Sequence, residues 1–398
     1  MRRWTAVPLL LAAAALATLE DAPLPVAAAQ KEKDDTNPPT EETFVTADGL
    51  QLHGKFHKSL KGDAASPVVV LLYPPATDRT VERTMDSKSG DWKGLARRLT
   101  KEGYNVFQFD WRGHGKSTII KEPAKFWDTT GQRNGITGAA NNKHIKDSPK
   151  SKKPNKRDLK LQDITNLPAY MPVLIEDLAA VRCHLDVKND NNELNSNSVY
   201  VIGAGDAAVL GMFWIRAEFA RPAVYPSQNQ LGMGIPRYDY VPQPLLGNIG
   251  TRAGETIAGA VWLSPNQPRA IARAAVRDWV ATAPEMRDTR MLFLWGEKDE
   301  AAKLQADFLW REALLGDPRA AKIAGVEPLD PKKSMIPIEK TELKGGFLLG
   351  DNAKLKTEDI IVKELNDIKE KRAKQPHKTR GYTEPYFINP TAFGVGFQ

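Results

Sequence analysis

Cysteine is almost absent from this 398-residue chain: Cys183 stands alone. That excludes an intrachain disulfide and a four-cysteine zinc site. Its setting, beside His184 in an apolar helical stretch, marks it as a small buried residue. Histidine is scarce too, with six copies. No His, Asp and Glu cluster has metal-ligand spacing, so neither a metal nor any other cofactor is implied. Beyond residue 30 no apolar run approaches the roughly 18 residues of a membrane span, so no transmembrane segment is expected in the mature chain. Neither charge dominates: 56 Lys+Arg against 49 Asp+Glu give +7. That is moderate for the length and no signature of specific nucleic-acid binding.

What is present begins with a leader pattern. Met1-Arg2-Arg3 is basic, residues 6–19 are apolar, and Ala27-Ala28-Ala29 are small. This predicts a signal peptide over 1–29 and an exported protein, periplasmic, cell-surface or extracellular. An uncleaved anchor is the other reading. Residues 30–41, charged and aperiodic, read as a linker.

From residue 42 the periods alternate. In "TFVTADGLQLHGKF" the pair Asp48-Gly49 is a hairpin turn signal. "PVVVLLY" is a strand buried on both faces, "DWKGLARRLTKEG" a helix and "YNVFQFD" a strand. Strand, helix, strand implies a right-handed crossover and a parallel sheet. The same alternation resumes with "MPVLIEDLAAVRCHL" and continues to the helix "KTEDIIVKELNDIKEKR". Residues 118–168 interrupt it. Within them, residues 141–160 hold eight Lys/Arg and two Asp. This basic insertion reads first as a solvated surface. Its sharper reading is a contact for an anionic envelope polymer through Lys143, Lys150, Lys152, Lys153, Lys156 and Arg157. Residues 221–254, rich in Pro, Gly, Tyr and Asn, are long for a plain loop and read as a wall or lid. Residues 371–398 form an aromatic tail.

Function turns on "VIGAGDAAVLG", 201–211. A strand ends in Gly203-Ala204-Gly205-Asp206-Ala207-Ala208 and a helix follows. One reading is a dinucleotide turn, G-x-G-x-x-G/A. Against it, several strands precede the motif, and "AVYPSQNQ", about 20 residues on, offers no acid for a ribose. The other reading is the nucleophile elbow G-x-S-x-G.

Three signatures in order favour the elbow. "TADGLQLHG" resembles the opening hairpin of the α/β-hydrolases. "FDWRGHGKS" resembles their D-x-R-G-x-G-x-S loop after the fourth strand. "LFLWGEKDE" resembles their strand and G-x-x-D loop, which implies Asp299 as the catalytic acid. The resemblance covers residues 42–370. It implies an α/β-hydrolase fold: a mostly parallel sheet, helices on both faces, and an N-terminal antiparallel hairpin.

The chemistry of that family needs a nucleophile, a histidine base, a carboxylate and backbone donors for the oxyanion. Here Gly205 occupies the serine's place. In a shifted register Asp206 is the nucleophile, as in the dehalogenase and epoxide-hydrolase branches; otherwise it is a carboxylate in a helix's first turn. The loop after the last strand, "TELKGGFLLGDN", holds no histidine. Where the family has His-Gly after the third strand, this chain has Tyr73-Pro74-Pro75-Ala76. Proline lacks an N–H, which leaves Ala76 as a donor.

The sequence thus predicts an exported hydrolase-like protein without an intact triad, its cleft kept for binding or scaffolding. The candidate positions are Gly205, Asp206 and Asp299, with a pocket over Tyr73, Pro74, Ala76, Gly203 and Ala207. Two alternatives stand: an active hydrolase using Asp206 with Asp299, and an envelope protein holding anionic polymer through the insertion.

Overall fold

The computed structural model describes residues 37–388, apart from 63–65, 78–82, 87–88, 131–133, 150–155, 226–239, 242–250, 351–354 and 373–374. The leader, most of the linker, most of 221–254, the end of the tail, and Lys150, Lys152 and Lys153 lie outside the described residues.

The opening hairpin pairs β1, Thr40–Val45, with β2, Leu50–His57. Its turn closes through the Thr46 N–H on the Leu50 carbonyl, with Gly49 at φ +87°. β1 begins inside the stretch read as linker, because Thr40 and Glu41 find partners in Phe56 and Lys55. Six strands, each with a helix after it, follow. β3 is Pro67–Leu72, α1 Trp92–Lys101 and β4 Asn105–Phe109. Asp91 caps α1 by accepting the Gly94 N–H. Next come α2, Ile175–Asp190, β5, Asn195–Ala204, and α3, Asp206–Glu218. β6, Ile257–Leu263, leads through α4, Arg273–Ala281, to β7, Arg290–Gly296. α5, Glu300–Phe308, β8, Met335–Ile338, and α6, Thr357–Lys371, complete the series.

The strand order is β1-β2-β4-β3-β5-β6-β7-β8. β2 runs antiparallel to both neighbours, and every later pair is parallel. All six residues of β3 and all seven of β6 are buried. Both faces of the sheet are therefore covered, as the unbroken apolar runs require.

The insertion is more than a solvated surface. Phe126, Ile145, Leu159, Leu161 and Ile164 join the core. Asn141, within the basic stretch, is buried and donates to Asp48 and to the Phe126 carbonyl. Of the basic residues described there, Lys143, Lys146, Arg157 and Lys160 are exposed, and Lys156 lies 3.0 Å from Asp163.

The tail packs along the body. Tyr382, Tyr386, Phe387 and Ile388 are buried, and Phe387–Ile388 pairs with Tyr240–Val241. Arg380 enters a buried ionic cluster. There Asp186 faces Arg182 at 3.2 Å, Arg221 at 3.3 Å and Arg380 at 3.9 Å, and Glu218 faces Arg221 at 2.7 Å. Burial alone would raise the Asp186 carboxyl; the three guanidiniums hold it below the ordinary range.

Candidate functional site

The strand-to-helix turn after β5 is an elbow. Gly205 has φ 57° and ψ −128°, outside the range L-residues occupy without strain. Its N–H donates to the Leu263 carbonyl and its own carbonyl accepts from Asn266. Both bonds tie it to the end of β6. This is the conformation a nucleophile elbow demands, and glycine meets it without cost from a side chain. The positive φ falls on Gly205, not on Asp206. Asp206 is the first residue of α3, its Oδ1 accepting from the Asn266 amide at 2.5 Å. Burial raises its carboxyl above the usual range, against the Asn266 bond and the Arg83 charge.

A cavity of about 570 Å³ opens at the C-terminal ends of β3, β5, β6 and β7. Pro74, Gly205, Asp206 and Asp299 line it. Open parallel sheets hold their ligands at this end. Tyr73, Ala76, Gly203 and Ala207 are not on its wall; all four are buried beneath. The Tyr73 hydroxyl donates to Asp110 and accepts from the Trp111 N–H. Gly203 lies against Trp262, where a Cβ would come within 2.9 Å of the indole. Asp299 caps α5 by accepting the Ala302 N–H, and Lys344 Nζ stands 3.6 Å from it.

The donor expected from Ala76 is occupied. Its N–H donates to His114 Nε2 at 3.1 Å. A carbonyl only accepts, so the 2.9 Å contact of His114 Nδ1 with the Arg112 oxygen requires a proton on Nδ1. Nε2 is then the acceptor, and the ring is a structural peg. Arg112, in the same loop, is buried between Asp48 at 2.9 Å and Asp177 at 2.7 Å. The D-x-R-G-x-G-x-S signature thus holds the opening hairpin and α2 together.

None of the six histidines lines the cavity. His53 pairs with Glu41, His57 with Gln108 and His184 with Glu42. His144 packs by Tyr170. His377 meets the Asn189 carbonyl at the C-terminal end of α2, near the start of β5 and so at the far end of the sheet. Cys183 is buried, and burial pushes its thiol to about 12. Among the described residues no group of three or more His, Cys, Asp or Glu is placed to hold a metal ion. No helix among them is long and apolar enough to cross a membrane.

Sequence reading named only four of the sixteen residues that line the cavity, and Ser264, Lys344 and Arg83 are among those it missed. Ser264, directly after β6, has φ +39°, is 5% exposed, and its hydroxyl has no hydrogen-bond partner among the described residues. Lys344 stands in the loop after β8, where the family has its histidine, and Arg83 lies between β3 and α1. Only the positions of Lys344 and Arg83 after strands hint at a role; nothing in "LSPNQP" signals the left-handed serine.

Asp206 gives a test by pH. Its folded carboxyl is raised above its unfolded value, so ionising it opposes folding. Stability is lost as pH rises from the unfolded value through the folded one. Asp206→Asn, which still accepts from Asn266, is expected to stabilise the protein at neutral pH and to change little in acid. Melting curves from pH 4 to 8 check this.

No protein-family model matches the chain, and no curated protein matches it in sequence. Solved structures do resemble it. One is an alpha-beta serine hydrolase homologue from Coxiella burnetii, 12% identical, covering 82% of this chain and 97% of that one, TM-score 0.39. Another is brefeldin A esterase, described as a bacterial homologue of human hormone sensitive lipase, 12% identical, 89% and 81% covered, TM-score 0.41. A third is a fungal esterase from Rhizomucor miehei, 12% identical, 85% and 87% covered, TM-score 0.41. At these identities and TM-scores the likeness carries no argument of its own. The strand order, the single antiparallel β2 and the elbow after β5 are properties of this chain itself, and by them it has the α/β-hydrolase fold.

Proposed function

We propose that this is an exported α/β-hydrolase-fold protein that lacks Ser-His-Asp catalysis and uses the elbow cavity to bind a ligand. One observation carries the reading: the elbow keeps its strained geometry at Gly205, φ 57° and ψ −128°, and offers no side chain there. Two others support it. The Ala76 N–H is spent on His114, and no histidine lines the cavity. Losing the serine or histidine of such a triad costs on the order of 10⁶ in turnover. Losing both leaves no route to an acyl-enzyme. The leader pattern of residues 1–29 supports export, and Gln30 is the expected first residue of the protein recovered from cells that make it, read by N-terminal sequencing.

A second reading keeps some catalysis. Asp206 and Asp299 line one cavity, and burial shifts the Asp206 carboxyl upward, as groups that exchange protons in reactions often are. Turnover of short-chain p-nitrophenyl esters separates the two. The binding reading expects the no-enzyme rate from the wild type and from Asp206→Asn. The catalytic reading expects saturable turnover that Asp206→Asn abolishes.

A further inference from the structure

We propose that the ligand of this cavity is a small organic acid, its carboxylate held between Ser264, Arg83 and Lys344 and its apolar body laid toward Phe347. This rests on the binding reading above and adds the ligand class.

The Ser264 hydroxyl is the first ground. The residue lines the cavity and is 95% withdrawn from solvent, and its hydroxyl, itself buried, has no partner among the described residues. A buried hydroxyl left unpaired is costly, and a ligand oxygen would satisfy it. The sign of the ligand follows from how the four charged side chains are disposed. Both carboxylates are turned to internal donors: Asp206 holds the Asn266 amide and Asp299 the Ala302 N–H. Both residues are buried, 5% and 3% exposed. The cations are presented instead. The Lys344 side chain is 66% exposed beside the cavity, its Nζ 3.6 Å from Asp299. The Arg83 guanidinium makes a long contact, 3.4 Å, to the Pro75 carbonyl. α3, thirteen residues long, starts at the same wall with glycine as its N-cap and no side chain capping it. Its first-turn N–H groups add to the attraction for an anion.

The rest of the wall sets the body of the ligand. Pro74, Pro265, Ala301 and Ala302 offer apolar surface, and Phe347 stands 54% exposed at the mouth. A space of about 570 Å³ suits a small molecule. A free acid, unlike an ester, carries the charge that Arg83 and Lys344 would read.

Calorimetric titration of the full-length protein with octanoate and benzoate, each against its uncharged alcohol, tests this. Both acids are expected to bind, and their alcohols to bind at least roughly tenfold more weakly. Ser264→Ala is expected to weaken the acids roughly tenfold, the worth of one charge-assisted hydrogen bond. Arg83→Gln with Lys344→Gln is expected to remove the preference for acid over alcohol. Lys344 is exposed and Arg83 half-buried, so that pair keeps the test decisive should Ser264→Ala fold poorly. Failure of both acids to bind, or equal binding of acid and alcohol, overturns the inference and leaves the binding reading standing. Saturable hydrolysis of p-nitrophenyl octanoate, lost in Ser264→Ala, overturns that reading as well.

Discussion

Asp186→Ala is expected to lose about 3–5 kcal/mol of folding stability, the cost of leaving buried charges without their counter-ion. Arg182, Arg221 and Arg380 converge on this one carboxylate, and all four residues are fully or almost fully buried. The Ser196 hydroxyl also donates to it, at 2.8 Å. Removing it leaves three guanidiniums with Glu218 as their remaining close acid. The cluster also anchors the tail: Arg380 donates to the Ala223 carbonyl at 3.0 Å, and its backbone N–H to Asp190 at 2.7 Å. Chemical denaturation measures the loss. Arg277→Ala is the control, because Arg277 pairs with Asp278 at the surface and such pairs are worth little. A loss no larger than the control's would show that the tail and the body are not held through this cluster. The same carboxyl predicts acid sensitivity. Its folded value is depressed, so its contribution is present above the unfolded pKa of about 3.9 and is lost as pH falls through the folded one.

The second large effect is a gain. Gly205→Ser with Lys344→His is expected to hydrolyse p-nitrophenyl esters about 10³-fold faster than either single variant. The arithmetic is simple. A complete triad contributes on the order of 10⁶, and one missing oxyanion donor takes back roughly 10²–10³. Ala76 stays bound to His114, so that donor remains missing. Lys344 is the position to change because its side chain already reaches Asp299. Gly205→Ser alone is expected to add strain of about 1–3 kcal/mol at a positive φ and to gain no turnover. Its new Cβ would meet Pro74 at 3.2 Å, a close contact that a small shift relieves. Equal rates from the double and single variants would mean that Lys344 does not stand where a base is needed.

Local chemistry made much of the fold legible. The unbroken apolar run of β3, the helical spacing of Trp92, Leu95 and Leu99, and the turn at Asp48-Gly49 each read directly from neighbours in sequence. The elbow was legible as a shape. Its register stayed open between Gly205 and Asp206, because small residues flank both at the elbow's spacing, and only the backbone angles, with the positive φ on Gly205, distinguish them. The oxyanion side was misjudged for a related reason. Ala76 carries a donor in the sequence, but its acceptor, His114, is 38 positions away. The buried role of Asp48 was hidden likewise, since Arg112 reaches it across 64 positions. The insertion was read by its charge, while the apolar residues between the lysines decide its packing. Ser264 and Lys344 carry no local signature at all. They matter because β6 and the loop after β8 end beside the elbow.

The central claim is that the elbow holds no nucleophile and the chain performs no acyl transfer. The most direct measurement is initial-rate hydrolysis of short-chain p-nitrophenyl esters by the purified wild-type protein, with Asp206→Asn and Ser264→Ala beside it. The account predicts the no-enzyme rate from all three. Saturable turnover by the wild type, abolished by either substitution, would contradict it and would identify the side chain that does the chemistry.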